Sequence, residues 1–339
     1  MIEGRATPEG TRALARRSGA AEGHFRPALG LSMSSLGVGT GGYPPLADTE
    51  AAARAGRALE LALLGGVNVV DTASNYADGD AETIVGRTVS SLVANGSVAR
   101  EELVLCSKAG YLSPEGHSME PAYLRRMVGS SRESLGVETV DVFLVHNPEE
   151  VLEASGPEEF ERQMRLAFEA LEEEAAAGRI GSYGVATAEG FRRPDGPELH
   201  RLDRLVELAR EAAGGDNRFG VIELPVSLAS PEALFLDNHE LGSRPATVLD
   251  VAADLGLTVF ASAAINRGLL PQPMPAALVA ATAPVDDEPL VALQFTRSAP
   301  GVTVALVGMS DPAHARANLE LTSLEPLDLT SAAPSSPSG

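Results

Sequence analysis

The chain has 339 residues, 44% hydrophobic and 22% charged, which is enough apolar content for a sizeable core and too much for global disorder. Acids outnumber bases 47 to 26, a formal charge of −21, and this argues against a surface that grips nucleic acid or anionic lipid through Lys and Arg. A single cysteine, Cys106, excludes an internal disulfide and a multi-cysteine zinc site.

From the amino terminus, residues 1–27 read as an irregular leader, polar and studded with Gly and Arg. They carry no apolar core of the signal-peptide kind, and no stretch is long enough to span a bilayer. The expectation is a cytoplasmic protein without nucleic-acid or membrane partners.

Short β-rich runs then alternate with helical patterns through residues 28–325. The runs are 35–39, 67–71, 103–107, 141–145, 182–186, 220–224, 257–261 and 302–307. Taking strand ends at 39, 71, 108, 146, 186, 223, 261 and 307, the intervals run from 32 to 46 residues. That spacing holds one strand, one crossover helix and two short loops. Helix signals fill the gaps. Asp48 or Thr49 can cap a helix through Leu59 and Leu63 that stops at Gly65-Gly66. Ser155 to Glu158 reads as a capping box, followed by Phe160, Met164, Phe168 and Leu171 at helical spacing before Gly178. Residues 326–339 read as a flexible tail.

Eight such units with near-continuous Val/Ile/Leu strands predict one α/β domain, a single (β/α)8 TIM barrel, with a doubly wound sheet as the competitor. A glycine string tests the choice. Gly37-Val-Gly39-Thr-Gly-Gly42 fits the dinucleotide fingerprint G-x-G-x-x-G, which works only where the last glycine opens a helix. Tyr43-Pro44-Pro45 follows instead, and the residue before a proline is pushed away from helical angles. A glycine-lined barrel mouth fits better.

Side chains at the carboxyl ends of barrel strands converge on one pocket. Asp71, Lys108 and His146 close the second, third and fourth runs, and Tyr76 lies just past the second. Lys108 is the chain's only lysine among 26 basic residues, so wherever a base serves for surface charge this chain uses arginine. An ammonium is compact where a guanidinium is wide, which makes Lys108 a candidate for chemistry. A tyrosine beside an ammonium can become a usable acid or base, a carboxylate can hold that ammonium, and a neutral histidine can orient a carbonyl. Each residue also has a structural reading, as helix cap, loop packing, ion-pair donor or core histidine.

These residues carry a resemblance to the aldo-keto reductase superfamily, whose catalytic set is Asp, Tyr, Lys and His in that order. The matching motifs are Asp71-Thr-Ala-Ser-Asn-Tyr76, Ser107-Lys-Ala-Gly110 and Asp141-Val-Phe-Leu-Val-His146. The resemblance runs from about Leu31 to Leu321. It implies a barrel that binds NADP(H), or less commonly NAD(H), and reduces an aldehyde, ketone or sugar carbonyl by hydride transfer, with Tyr76 as proton donor. It further implies that Gly39, Thr40 and Gly41 line the nicotinamide end. Gly308, Met309, Ser310, His314 and Asn318 would surround the adenosine and its phosphates.

Several positions depart from the family pattern. Ala186-Thr187 stands where Ser-Asn is usual, and Glu223 where Gln is usual. No tyrosine occurs after Tyr183, so Ser262 or Phe260 occupies the place of the stacking aromatic, and His314 replaces the cation at the 2′-phosphate. These changes touch the grip on the cofactor more than the proton chemistry. An alternative reading is a catalytically weak barrel that binds a dinucleotide as a sensing module.

Overall fold

A computed structural model of the chain describes residues 1–112, 116–194, 196, 198–283 and 285–329. The last ten residues of the expected tail lie outside them. Eight parallel strands form a closed barrel: β1 (Leu36–Gly39), β2 (Val69–Asp71), β3 (Val104–Ala109), β4 (Val140–His146), β5 (Ile180–Ala186), β6 (Phe219–Pro225), β7 (Thr258–Ser262) and β8 (Val304–Gly308). Each strand pairs with its neighbours in sequence, and β8 closes on β1 through Gly308 opposite Gly39. The sheet is therefore closed and not doubly wound. After β1 the next regular helix begins only at Thr49, so the glycine string opens no helix.

Strand side chains alternate between two buried environments, which explains why the strands read as continuous apolar runs. One set, including Leu105, Phe143, Val145, Ile222 and Val259, packs outward against the helices. The other, Val69, Val104, Cys106, Val142, Leu144, Val221, Phe260, Val304 and Leu306, fills the barrel. Each fully buried aliphatic side chain of this kind contributes about 1.5–3 kcal/mol. Continuing the inward set by two residues towards the carboxyl ends reaches Asp71, Lys108, His146, Glu223, Ser262 and Gly308. The barrel thus has an apolar floor and a polar top layer.

Residues 1–27 are not irregular as expected. They contain helix α1 (Pro8–Arg17), whose cap Thr7 accepts a hydrogen bond from the Gly10 amide at 3.0 Å. The Thr7 amide donates to the Glu101 carbonyl at 3.0 Å, tying the helix entry to the turn before β3. Phe25–Ala28 and Leu31–Ser34 form an antiparallel hairpin whose Met33 is buried within the apolar floor.

Asp48 caps α2 (Thr49–Leu64) as its side chain accepts from the Ala51 amide. The helix expected from Ser155 instead starts at Glu149, directly after β4, and runs to Ala176. Its backbone breaks at Gly156 (φ 78°, ψ 172°), and Pro157 starts the second part. The Ser155–Glu158 stretch therefore interrupts a helix that has already begun.

Candidate active site

Asp71 ends β2, and Lys108 is the fifth residue of β3. Register sets Asp71 beside Cys106, two residues below Lys108 on the same inward face. Lys108 is fully buried, and its Nζ donates to Asp71 Oδ1 and, at 3.0 Å, to Glu223 Oε2 on β6. Burial opposes its charge, but the two carboxylates outweigh burial and hold the ammonium protonated well above its ordinary range. Glu223 moves the opposite way. Its burial and the negative charge of Asp71 raise its carboxyl well above the usual carboxylate range, although Lys108 pulls it down.

Tyr76 stands on a single 3-10 turn, Tyr76–Gly79, in which Ala77 (φ 48°) and Asp78 (φ 54°) adopt left-handed backbone. Lys108 Nζ lies 5.5 Å from the centre of its ring. The His146 ring meets it edge-on at 5.9 Å between centroids. Sequence reasoning expects the ammonium to make this phenol more acidic. The structure reverses the net direction: burial raises the tyrosine pKa, Lys108 lowers it, and Asp71 and Glu223 raise it again. The phenol therefore stays protonated throughout the neutral range.

His146 ends β4 with its imidazole pushed down to about 3 by burial, and then by the charge of Lys108. It is neutral near pH 7. Tyr111 also packs edge-on against the His146 ring at 5.2 Å, and the His117 Nε2–H donates to the His146 carbonyl at 2.6 Å. This close approach requires glycine at position 110, where a Cβ would lie 2.2 Å from the same carbonyl oxygen. Asn147 Nδ2 donates to the Tyr111 hydroxyl at 2.6 Å.

A cavity of about 740 Å³ opens over this layer. Asp71, Tyr76, Glu223, Gly39, Gly41, Ser262, Gly308 and Ser310 line it, so the structure brings these sequence-chosen residues together around one space. Thr40 is fully buried beside it and donates through Oγ1 to the Asp71 carbonyl at 3.0 Å. Ala186 ends β5 next to β6, and Thr187 follows it. The Thr187 amide donates to the Glu223 carbonyl at 2.8 Å, while its buried Oγ1 has no hydrogen-bond partner. Met309 is buried, Asn318 is nearly so, and His314 is exposed on the helix Pro312–Glu320. Phe260 belongs to the apolar floor, so of the two residues expected to replace the stacking aromatic only Ser262 faces the cavity.

Some lining residues were missed from sequence. The loop after β7, Ala263 to Arg267, forms one wall, with Ala263, Asn266 and Arg267 at positive φ. Tyr111 and Asn147 were missed as well. None belongs to a spacing pattern that marks it in the sequence, because loop backbone and not strand register brings each to the site. Among the described residues no cluster of three or more His, Cys, Asp or Glu could hold a metal ion, and no helix is long and apolar enough to cross a membrane.

A family model for the aldo/keto reductase family matches residues 35–193. A 6-dehydroglucose reductase of Novosphingobium aromaticivorans is 26% identical over 230 residues, 66% of this chain and 63% of that protein, so the match spans less than two thirds of that relative. A D-threo-aldose 1-dehydrogenase of a Pseudomonas species is 25% identical, with 88% of this chain and 92% of that protein covered. Among solved structures, an aldo/keto reductase of Klebsiella pneumoniae in complex with NADP and acetate superposes with a TM-score of 0.67 at 19% identity, covering 92% of this chain and 94% of that one. At that identity the likeness speaks for the fold.

Proposed function

We propose that this chain, which belongs to the aldo-keto reductase superfamily, is an NADP(H)-dependent oxidoreductase that reduces an aldehyde or ketone to an alcohol. The observation that carries the reading is the convergence on Tyr76 of a buried ammonium and a neutral imidazole at the wall of one cavity.

The residues present fit a dinucleotide. The cavity has the volume of a cofactor site. Added bulk at Gly308 would project into open space, so the backbone there is free for close approach. The orphaned Thr187 Oγ1 beside Glu223 supports an amide-bearing ligand at that end of the site, because a buried hydroxyl without a partner is costly. Gly39, Gly41, Ser262 and Glu223 would hold the nicotinamide end, with Thr187 and Ala186 behind it. Gly308, Met309 and Ser310 would follow the phosphates, with His314 and Asn318 further along. Arg267 is the cation of the described wall.

When bound, the dinucleotide supplies the hydride. The chain's residues handle the proton. Burial keeps the Tyr76 phenol protonated, so it arrives at the carbonyl oxygen as a donor. As the proton leaves, Lys108 is the positive charge beside the nascent phenolate, and Asp71 fixes it there. His146, neutral and in edge-on contact with both Tyr76 and Tyr111, can hydrogen-bond the carbonyl oxygen without competing for the proton.

The test is NADPH consumption over a panel of small aldehydes, ketones and aldoses by the wild type and by Tyr76→Phe. The variant is expected to lose about 10²–10⁴-fold in kcat, the usual span for a general acid, while binding NADPH as before. Equal turnover by both proteins would remove Tyr76 from the chemistry.

A further inference from the structure

The top layer of the barrel holds one more carboxylate than its ammonium can neutralise. Lys108 Nζ sits between Asp71 and Glu223 and is itself fully buried. The two acids, not the ammonium, form part of the cavity wall. Arg267 is the other charged side chain of the described wall, and it is exposed, in the loop after β7. Tyr76 is the only aromatic in that described wall, so the grip on a flat ring falls to polar and charged groups.

We propose that Glu223 is a counter-ion for the oxidised, cationic nicotinamide ring, so that the site holds the oxidised dinucleotide more tightly than the reduced one and draws hydride transfer towards carbonyl reduction. This rests on the functional reading above. The reduced ring is neutral and gains nothing from a facing carboxylate. The oxidised ring carries a positive charge and gains a charge–charge interaction with a carboxylate that is itself buried. A ligand form bound more tightly shifts the internal equilibrium towards itself by its differential affinity.

The groups facing Glu223 support this arrangement. They are Asp71 from β2, Cys106 and Lys108 from β3, and Tyr76 from the loop after β2. Cys106 is buried, and its thiol is pushed well up by burial and by the neighbouring acids, so Lys108 remains the single cation among them. Without a second cation, burial and Asp71 drive Glu223 to retain a proton. A cationic ring supplies the missing charge and releases that proton. In the reducing direction the substrate's carbonyl carbon would accept the hydride that the bound dinucleotide supplies, two electrons and one proton. Its oxygen would take the Tyr76 hydroxyl proton, which Tyr76 regains from water. Glu223 would give up its own proton to solvent as it comes to face the cationic ring.

The experiment is a pair of equilibrium titrations of the full chain with NADP⁺ and NADPH, read by intrinsic fluorescence or calorimetry, for wild type and Glu223→Gln. The amide has the same shape and keeps an oxygen for Lys108. The wild type is expected to bind NADP⁺ about tenfold more tightly than NADPH, and the preference is expected to collapse towards unity in the variant. A wild type that binds NADPH equally well or better overturns the proposal without any variant, so the test survives a variant that fails to fold. A wild-type preference that persists in folded Glu223→Gln also overturns it, while the functional reading stands. A wild type that binds neither dinucleotide overturns both.

Discussion

His24 is a buried imidazole held between the Gly66 carbonyl, 3.2 Å from Nε2, and the Ser35 hydroxyl, 3.3 Å from Nδ1. Burial, and then the nearby charge of Arg297, push its pKa down to about 4. In the unfolded chain the ring titrates near 6.5. Below that pH the unfolded state binds a proton that the native state refuses, so stability is fully present above about pH 6.5 and falls as pH drops towards 4. His146 adds a loss of the same sign. Glu82, raised by burial despite its 2.6 Å bond from Ser107, and Glu223 act oppositely, because the native state there takes up protons earlier. The histidine contribution is therefore visible only as a difference. Between about pH 6 and 4.5, His24→Gln should lose about 1.4 kcal/mol per pH unit less stability than wild type in urea unfolding. Parallel curves for the two proteins would show that His24 charges in place.

At the scale of the elements, β5 carries the feature most sensitive to one added carbon. Register shifts between Tyr183 and Gly184, and β5 approaches β6 so closely that a Cβ at Gly184 would lie 1.7 Å from the Val221 carbonyl oxygen. That oxygen belongs to the backbone and cannot swing away, so Gly184→Ala must part the two strands. We expect a loss of about 3 kcal/mol or more, read as a large drop in Tm, with the Ala186–Glu223 pairing disturbed. An unchanged melt would mean that β5 shifts without cost. The same strands show what was legible in the sequence. Parallel strands buried on both faces read as apolar runs, and their βα spacing located all eight to within a few residues. A lone lysine at a strand end then drew attention to the polar layer. α1 was not legible, because it is a polar helix that buries only Thr11 and Leu14. Glu223's hold on Lys108 depends on strands far apart in sequence facing each other across the barrel, which no local pattern encodes. Tyr111 reaches His146 through the turn that Gly110 allows, and the left-handed residues after β7 carry no spacing signal.

Taken whole, the molecule is an anion that we propose binds an anionic dinucleotide. Its formal charge is −21, a field that extends over the whole surface around the cavity mouth. Proteins that capture nucleotides through basic patches lose affinity and on-rate as salt screens the attraction. Here screening should act in reverse, because long-range repulsion between protein and pyrophosphate is what salt removes. Arg267 at the exposed edge of the cavity is one positive charge against that field, enough to bias the final approach and too little to reverse its sign. Stopped-flow association of NADPH should therefore speed up about two- to fivefold between roughly 20 and 200 mM salt. Arg267→Gln should associate more slowly than wild type at both ends of that range, with the rise in rate preserved. A wild-type on-rate that falls with salt would instead mean that the cavity mouth presents a positive face, and that the phosphates meet more basic charge than Arg267 supplies.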